Sequence, residues 1–265
     1  SNEKFYWNPK AQNYKHDIQD YKAIKKLFTD VHTVFHLAAE SRIQPAINNP
    51  IQAAQVNFVG TCTVLQCARE AGCNRVVYSS TSSAYGLKNS PPLSEDMDSD
   101  CLNPYSVTKV GGESLCEMYN SLFGLKTIIF RYFNVYGDRQ PLKGEYAPVI
   151  GLFLRQKNSN QPMTVVGDGS QKRDFTFIED VVEANILASH TNKKTAFGQV
   201  FNIGSGINYS ILELVEMIKG EHVHISSRVG EAHTSLANIE KSQKILNWKP
   251  KGDLKKWLDY QQGIK

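Results

Sequence analysis

The segment SSTSSAYG, residues 79–86, follows the apolar run RVVY at 75–78, and together they decide how the chain folds. The run has the β-branched and aromatic content of a buried strand, so the hydroxyl side chains stand where a strand ends and a loop begins. In α/β sheets, ligands bind at this carboxyl edge of the strands. The stretch therefore predicts a sheet strand with a binding site at its end.

A second segment, YSVTK at 105–109, opens a predicted helix directly after an Asn-Pro pair. Tyr105 and Lys109 are four residues apart and share one helix face. A phenol has an ordinary pKa of about 10, and a neighbouring ammonium lowers it by favouring the phenolate. Placed beside the strand-end hydroxyl of Thr81, this pair predicts a relay that moves a proton on and off a sugar or alcohol oxygen.

The Tyr-x-x-x-Lys spacing itself occurs at Tyr6/Lys10, Tyr21/Lys25 and Tyr105/Lys109. The first lies in a polar segment that contains Pro9, which indicates a loop. The second lies on a short amphipathic helix, where a solvated face is the simpler interpretation. The third has a hydroxyl-rich strand end before it and the strong strand TIIF at 127–130 after it. We therefore assign chemistry to the third pair.

The composition is that of a globular protein with 265 residues, 41% hydrophobic and 21% charged, enough for one large domain or two small ones. A net charge of +4 without a Lys/Arg block indicates neither a nucleic-acid nor a membrane partner. No apolar run spans a bilayer and no signal peptide opens the sequence. The five cysteines and seven histidines form no ligand-spaced cluster, so we expect a reduced, cytoplasmic protein with no metal site.

Strands alternate with helices as far as residue 130, which predicts a parallel, doubly wound sheet. We expect an α/β fold with a larger domain at 1–135 and 174–203 and a smaller C-terminal α/β domain at 136–173 and 204–265. The expected elements are helices at about 20–28, 50–71, 104–124, 146–157, 179–189 and 254–260, and strands at 31–39, 75–78, 125–130, 163–166 and 175–178.

The predicted sheet is N-terminally incomplete. A Rossmann half begins with a strand, a Gly-rich turn, a helix and a second strand that ends in an acidic residue, a unit of roughly 30 residues. The partial match NIGSG at 202–206 lacks the third glycine and an acidic partner. We interpret it as a tight turn before a helix that starts at Ser210, and we expect the chain to lack the first unit of the pattern.

With these segments in place, the chain resembles the extended short-chain dehydrogenases/reductases, in their nucleotide-sugar epimerase and dehydratase branch. The resemblance runs from Asp17 to the last helix. Its motifs are HLAA at 36–39, N-x-x-G-T at 57–61, the segments at 79–86 and 105–109, RYFN at 131–134, GDG at 167–169, RDF at 173–175 and R-x-G-E at 228–231.

The resemblance implies a bound NAD: the larger domain would be a Rossmann-like NAD-binding domain, and the smaller one a nucleotide-sugar-binding domain. Asp17 and Ile18 match a pair that contacts the adenine, residues 37–41 match the cofactor trough, and Phe133 matches a contact on the nicotinamide side. The cofactor-binding residues implied are Asp17, Ile18, Leu37, Ala38, Ala39, Glu40, Ser41, Asn57, Thr81, Tyr105, Lys109 and Phe133. Of these, Thr81, Tyr105 and Lys109 match the catalytic residues.

The resemblance also implies a UDP-sugar substrate. Arg173 matches a phosphate clamp, because a guanidinium forks well onto phosphate oxygens. Arg228 and Glu231 match a second nucleotide clamp, in which the carboxylate suits a ribose hydroxyl. The substrate-binding residues implied are Ser82, Ser83, Asn134, Pro148, Val149, Thr164, Val165, Val166, Arg173, Arg228, Glu231 and Ser235.

The expected reaction is 4-epimerisation through a 4-keto sugar. Dehydratases of this branch place acidic residues directly after the threonine, and Ser82 and Ser83 cannot supply that acid. Galactose-type epimerases can carry a bulky Tyr at the position of Ser235, and a small residue there leaves room for an N-acetyl group. The chain thus resembles UDP-N-acetylglucosamine 4-epimerases most, with UDP-glucose and UDP-galactose as a further substrate pair.

Two alternatives stay open at this point. One is a UDP-glucuronate epimerase or decarboxylase on the same machinery. The other is a non-catalytic nucleotide-binding module, or a fragment inactive for want of the Gly-rich unit. The family commonly pairs two long helices across a dimer as a four-helix bundle, so we expect a homodimer through helices 50–71 and 104–124.

Overall fold

The computed structural model describes residues 7–141, 147–226 and 233–264. Its α-helices in chain order are α1 (Tyr21–Ile24), α2 (Ile43–Asn48), α3 (Pro50–Ala54), α4 (Gly60–Glu70), α5 (Pro104–Phe123), α6 (Val149–Asn158), α7 (Ile178–His190), α8 (Ile211–Ile218) and α9 (Leu254–Gln261). Its strands are β1 (Thr33–His36), β2 (Arg75–Thr81), β3 (Lys126–Tyr132), β4 (Asn134–Tyr136), β5 (Met163–Val166), β6 (Lys172–Phe177), β7 (Gln199–Ile203), β8 (Asn208–Ser210) and β9 (His222–Ile225).

The main sheet has four parallel strands in the order β1-β2-β3-β7. Every residue of β2 is buried, because helices cover the strand on both faces. Val76 and Tyr78 pack in one core with residues of α4 and α5, whereas Val77 packs in a core on the opposite face with residues of α7. The predicted α/β fold with a parallel sheet is confirmed.

The two long helices begin and end at the residues that helix capping favours. Asn103 caps α5 in a capping box with Ser106, and the helix ends at Gly124 in the left-handed conformation. The predicted helix at 50–71 runs from Pro50 to Glu70, but the segment Gln55–Val59 is a π-helix between α3 and α4. Because a π-helical turn is wider than an α-helical turn, the side chains before and after this segment do not follow one continuous α-helical face.

The remaining strands form two smaller sheets. The strands β4, β6 and β8 form one sheet, and β5 pairs with β9 in the other. Together with α6, α8 and α9 they enclose a separate core that includes Phe153, Met163 and Leu258. Strand β9 was missed by the sequence analysis because its polar–apolar alternation covers only four residues, all of them exposed.

Among the described residues, no helix combines the length and the apolar character required to cross a membrane.

Candidate active site

The predicted relay assembles where β2 meets the start of α5. Thr81 is the last residue of β2, and its hydroxyl accepts a hydrogen bond from the backbone of Ser83 (3.1 Å). Tyr105 lies in the first turn of α5, and its hydroxyl shares a hydrogen bond with Thr81. Lys109 follows one turn later and is almost completely buried. The structure therefore brings the three residues together at the carboxyl edge of the sheet.

The electrostatics of the pair differ from the prediction in one respect. Burial raises the pKa of Tyr105 above its ordinary value, and the hydrogen bond with Thr81 only partly opposes this. Burial also lowers the pKa of Lys109 to about 8, although Cys116 and Glu113 act in the opposite direction. The expected net lowering of the pKa of Tyr105 is wrong in this arrangement, because desolvation of the phenol outweighs the influences that favour the phenolate.

The pair Tyr21/Lys25 has the same spacing and a different environment. The Lys25 ammonium donates to the Tyr21 hydroxyl (2.6 Å), which donates to Glu70 on α4. Lys25 also forms an ion pair with Glu70 (2.9 Å) at the protein surface. The Tyr21 and Lys25 side chains therefore contact α4 at the surface. The prediction that this pair belongs to a solvated helix face is confirmed.

A buried ion pair beneath the relay was missed by the sequence analysis. Glu113 on α5 accepts hydrogen bonds from Arg131 Nε (2.9 Å) and Nη2 (2.7 Å), and from the hydroxyl of Ser80. The guanidinium of Arg131 also lies 4.7 Å from the centre of the Tyr85 ring, whose hydroxyl donates to Asn202 (2.6 Å). The network joins α5, β3 and the turn after Thr81, and so fixes the loop that carries Ser82 and Ser83.

The predicted cofactor trough lies at the carboxyl end of β1. Asn57 fixes this loop, because its amide donates to Glu40 O (3.0 Å) and to Thr108 Oγ1 (3.0 Å), and its oxygen accepts from Glu40 N (2.7 Å). Leu37 is 62% exposed, and Ala38 and Ser41 are exposed as well. The loop is thereby held to Thr108, the residue before Lys109, and its exposed side chains suit the sugar hydroxyls and flat rings of a dinucleotide, so these residues fit NAD.

The remaining predicted cofactor residues lie in other surroundings. Asp17 is exposed, and its carboxylate accepts from Gln19 N (2.9 Å), as expected of a loop residue. Ile18 packs so closely on α4 that a Cβ atom at Gly60 would lie 2.7 Å from its Cδ1. Phe133 is buried, in a cluster with Tyr85, Leu93 and Ala237.

The turn at Gly204-Ser205-Gly206 is held by a buried carboxylate. Asp174 accepts hydrogen bonds from the backbone of Ser205 (2.7 Å), Gly206 (3.1 Å) and Ala237 (3.1 Å). Burial raises its pKa, and these hydrogen bonds oppose the rise. Because the turn already donates its N–H groups to Asp174, they do not form an anion cradle, and the interpretation as a tight turn before α8 is confirmed.

A cavity of about 350 Å³ extends from this relay toward the smaller sheets. The predicted substrate residues that line it are Ser82, Ser83, Asn134, Val149, Thr164, Val166, Arg173 and Ser235. The side chain of Val165 points away into the core, since neighbouring strand residues face opposite sides. Pro148 precedes α6 as its N-cap. Arg228 and Glu231 lie outside the described residues.

Other lining residues gave no signal in the sequence. They are Ile43, Leu102, Asn103, Gln171, Ile225 and Thr234. Of the described residues that line the cavity, Arg173 alone carries a charge. Its guanidinium donates to the backbone oxygens of Lys172 (3.0 Å) and His233 (3.2 Å), which fixes its position in the cavity wall. The cavity thus combines one cation with the hydroxyl groups of Ser82 and Ser83, which follow Thr81 in the chain.

Comparison with known proteins agrees with this geometry. The UDP-glucose 4-epimerase of Mycolicibacterium smegmatis is 35% identical over 224 residues, which cover 82% of this chain and 70% of the relative. Among solved structures, the UDP-N-acetylglucosamine 4-epimerase of Methanobrevibacter ruminantium M1 in complex with UDP-N-acetylmuramic acid matches with a TM-score of 0.88 and 27% identity, over 95% of this chain and 81% of the other.

A third protein adds a cofactor to the comparison. The UDP-glucuronic acid 4-epimerase of Bacillus cereus, solved with UDP-glucuronic acid and NAD, matches with a TM-score of 0.87 and 32% identity, over 97% of this chain and 83% of the other. The family model described as GDP-mannose 4,6-dehydratase matches residues 1–260. The chain therefore belongs to this family of extended short-chain dehydrogenases/reductases.

Proposed function

We propose that the protein is an NAD-dependent UDP-sugar 4-epimerase. The observation that carries the proposal is the pairing of Tyr105 with Thr81, directly before the cavity-lining residues Ser82 and Ser83, in a cavity whose lining also includes the cation Arg173. Hydroxyl groups suit a sugar, and a guanidinium suits a diphosphate. The similar proteins named above, which share this fold, are epimerases that act at carbon 4 of UDP-sugars.

In this proposal each residue has a defined role. NAD⁺, when bound, would supply the hydride acceptor and donor for carbon 4 of the sugar. Tyr105 takes the proton from the 4-hydroxyl group and gives it back, and Thr81 shares the hydrogen bond. Lys109 is charged below pH values of about 8, so its ammonium favours the phenolate during turnover.

The cofactor and substrate contacts extend along the sheet edge. We assign the dinucleotide to Asp17 and Ile18, the loop 37–41, Asn57 and Phe133, and the diphosphate to Arg173. In the domain division that we propose, 1–135 and 174–203 hold the cofactor, and 136–173 and 204–265 hold the UDP-sugar.

The sugar end of the cavity favours a neutral hexose. Ser82 and Ser83 offer hydroxyl groups and no acid, which argues against dehydration. A glucuronate carboxylate is bound most strongly by a cation, and among the described residues that line the cavity the one cation, Arg173, is assigned to the diphosphate. Ser235 leaves space for an N-acetyl group, so we assign UDP-N-acetylglucosamine and UDP-N-acetylgalactosamine as the preferred pair.

The test is to measure bound nicotinamide nucleotide and epimerisation on one preparation. Acid release and chromatography give the NAD content of the purified chain, and NAD⁺ is then supplied in the assay. UDP-N-acetylglucosamine, UDP-glucose and UDP-glucuronate are compared, and we expect the highest kcat/KM for the first. Preference for UDP-glucuronate would overturn the substrate assignment. No turnover of any UDP-sugar with NAD⁺ bound would overturn the proposal that the protein is an epimerase.

Substitution of Ser235 tests the size of the sugar pocket. We expect Ser235→Tyr to lower kcat/KM for UDP-N-acetylglucosamine by at least about tenfold while UDP-glucose turnover is spared, because a phenol ring fills the space of the acetamido group. Ser235→Ala is the matched control, since it keeps the side chain small and should retain both activities. An equal loss on both sugars in the Tyr variant would contradict the assignment.

We further propose a homodimer through α5 and the helical segment from Pro50 to Glu70. These elements expose apolar side chains to solvent, among them Ile51 (70%), Val59 (50%) and Leu122 (67%). The two helices are packed together, since a Cβ atom at Gly111 would lie 2.8 Å from Phe58. A wide apolar surface on adjacent helices is typical of an interface between subunits.

Charge placed in this surface should dissociate the dimer. We expect the double variant Val59→Glu/Leu122→Glu to sediment as a monomer in analytical ultracentrifugation under conditions in which the unmodified protein is dimeric, because the interface would bury two unpaired carboxylates. Ile186→Glu, on the exposed face of α7, is the control and should stay dimeric. A dimeric double variant, or a monomeric unmodified protein, would refute this interface.

A further inference from the structure

Lys109 lies against the face of an aromatic ring. Its Nζ atom is 4.2 Å from the centre of the Tyr78 ring, and both side chains are buried. Tyr78 belongs to the fully buried strand β2, three residues before Thr81. On its other side, the ring contacts His36, with 5.6 Å between ring centroids. An ammonium at this distance from a desolvated ring is in the range of a cation–π interaction.

The position of the ring is fixed by α5 itself. The Tyr78 hydroxyl donates a hydrogen bond to the backbone oxygen of Lys109 (3.2 Å). A Cβ atom at Gly112 would overlap the phenol oxygen, so the glycine provides the space that the ring occupies. The arrangement therefore depends on three residues that contact one another: the aromatic residue Tyr78 on β2, and Lys109 and Gly112 on α5.

The groups around the ammonium explain why the ring matters. Burial lowers the pKa of His36 to about 3, so this ring is neutral at physiological pH and adds no second cation. Burial likewise raises the pKa of Tyr78, Tyr105 and Cys116, which are all neutral there. The carboxylate of Glu113 is already engaged by Arg131 and Ser80. The ring face of Tyr78 is therefore the attractive surface that the Lys109 ammonium contacts directly.

We propose that Tyr78 is a positioning residue for the epimerase reaction, which holds the Lys109 ammonium through a cation–π interaction beside the Thr81–Tyr105 pair. The proposal rests on the proposed function for its effect on turnover. The contact itself does not depend on that function, so it is measured separately.

The contact is tested by NMR on the full chain with lysine labelled at ¹³Cε and ¹⁵Nζ, where Lys109→Met assigns the signal. Tyr78→Phe keeps the ring and Tyr78→Leu removes it. We expect the ε-protons of Lys109 to show an upfield ring-current shift in the unmodified protein and in the Phe variant, and to lose it in the Leu variant. The pKa of Lys109 should be lower in the Leu variant than in the Phe variant by about one.

Pentafluorophenylalanine at position 78, compared with phenylalanine, covers the case in which the Leu variant does not fold. It keeps the shape of the ring and reverses its quadrupole, and it should lower the pKa of Lys109 as the Leu variant does. An unshifted Lys109 signal in the unmodified protein, or equal pKa values with both rings, would overturn the proposal.

Turnover links the contact to catalysis. We expect kcat for the UDP-sugar to be about tenfold lower in the Leu variant than in the Phe variant, with KM nearly equal, because Lys109 does not line the substrate cavity. The falling limb of the kcat–pH profile should also move to lower pH in the Leu variant. A chain that shows the NMR contact but no turnover would refute the proposed function and leave the contact established. Equal kcat values and pH profiles would refute the positioning role.

Discussion

Replacement of Tyr105 by Phe is expected to lower kcat by about 10²–10⁴-fold, the range that a positioned acid–base group contributes. In the proposed mechanism the phenol exchanges a proton with the sugar hydroxyl, and its partner Thr81 cannot replace it, because an aliphatic hydroxyl is a far weaker acid. Phe keeps the ring and its packing in α5. The measurement is kcat with UDP-N-acetylglucosamine, together with bound NAD to show that the cofactor site is intact.

Tyr21→Phe is the matched control, since it removes a hydroxyl with the same Tyr-x-x-x-Lys spacing at the surface. Its kcat should equal that of the unmodified protein. If the Tyr105 variant kept more than about a tenth of the activity, the acid–base role would have to be assigned to another group.

Replacement of Glu113 by Ala is expected to lower the free energy of unfolding by about 3–5 kcal/mol, the cost of leaving a buried charge without its partner. The side chains of Glu113 and Arg131 are 4% and 5% exposed, and their closest atoms are 2.7 Å apart. Loss of the carboxylate also removes the acceptor of the Ser80 hydroxyl. The measurement is urea unfolding followed by circular dichroism, with the midpoint and slope compared between variants.

Glu183→Ala is the control for this substitution, because the pair between Glu183 and Lys251 (2.9 Å) lies at the surface. Exposed pairs contribute about 1 kcal/mol or less, so this variant should unfold almost as the unmodified protein does. A second comparison is Glu113→Ala combined with Arg131→Met, which removes both charges and should recover part of the loss. Equal midpoints for Glu113→Ala and Glu183→Ala would show that the buried pair contributes nothing to stability.

The sequence predicts well those features that depend on neighbouring residues. The alternation of strands and helices, the strand before Thr81 and the caps of α5 follow from local periodicity and turn chemistry, and the structure has them. The placement of Thr81, Tyr105 and Lys109 at one edge follows as well, because parallel strands end on the same side. Even the difference between the Tyr105/Lys109 and Tyr21/Lys25 pairs could be read from the flanking segments.

Features that depend on distant residues could not be predicted in this way. The pairing of Glu113 with Arg131 joins a helix to a strand, and neither residue has a local pattern that names its partner. The same holds for Ile43 and Leu102, which meet in the cavity although they are far apart in the chain. The pKa of Tyr105 was predicted with the wrong sign because spacing reveals the neighbouring lysine and does not reveal the desolvation of the phenol.

The carboxylate of Asp174 has a consequence for how substrate preference changes in evolution. It anchors the backbone at Ala237, and Ser235, two residues earlier, is anchored as well through its own N–H to Lys172 O (3.0 Å). The backbone around position 235 is thus held mainly by groups other than the Ser235 side chain, whose hydroxyl adds one long hydrogen bond from Asp174 N (3.4 Å). If position 235 lines the sugar pocket as proposed, a single substitution there would alter which sugars are accepted without disturbing the proton relay.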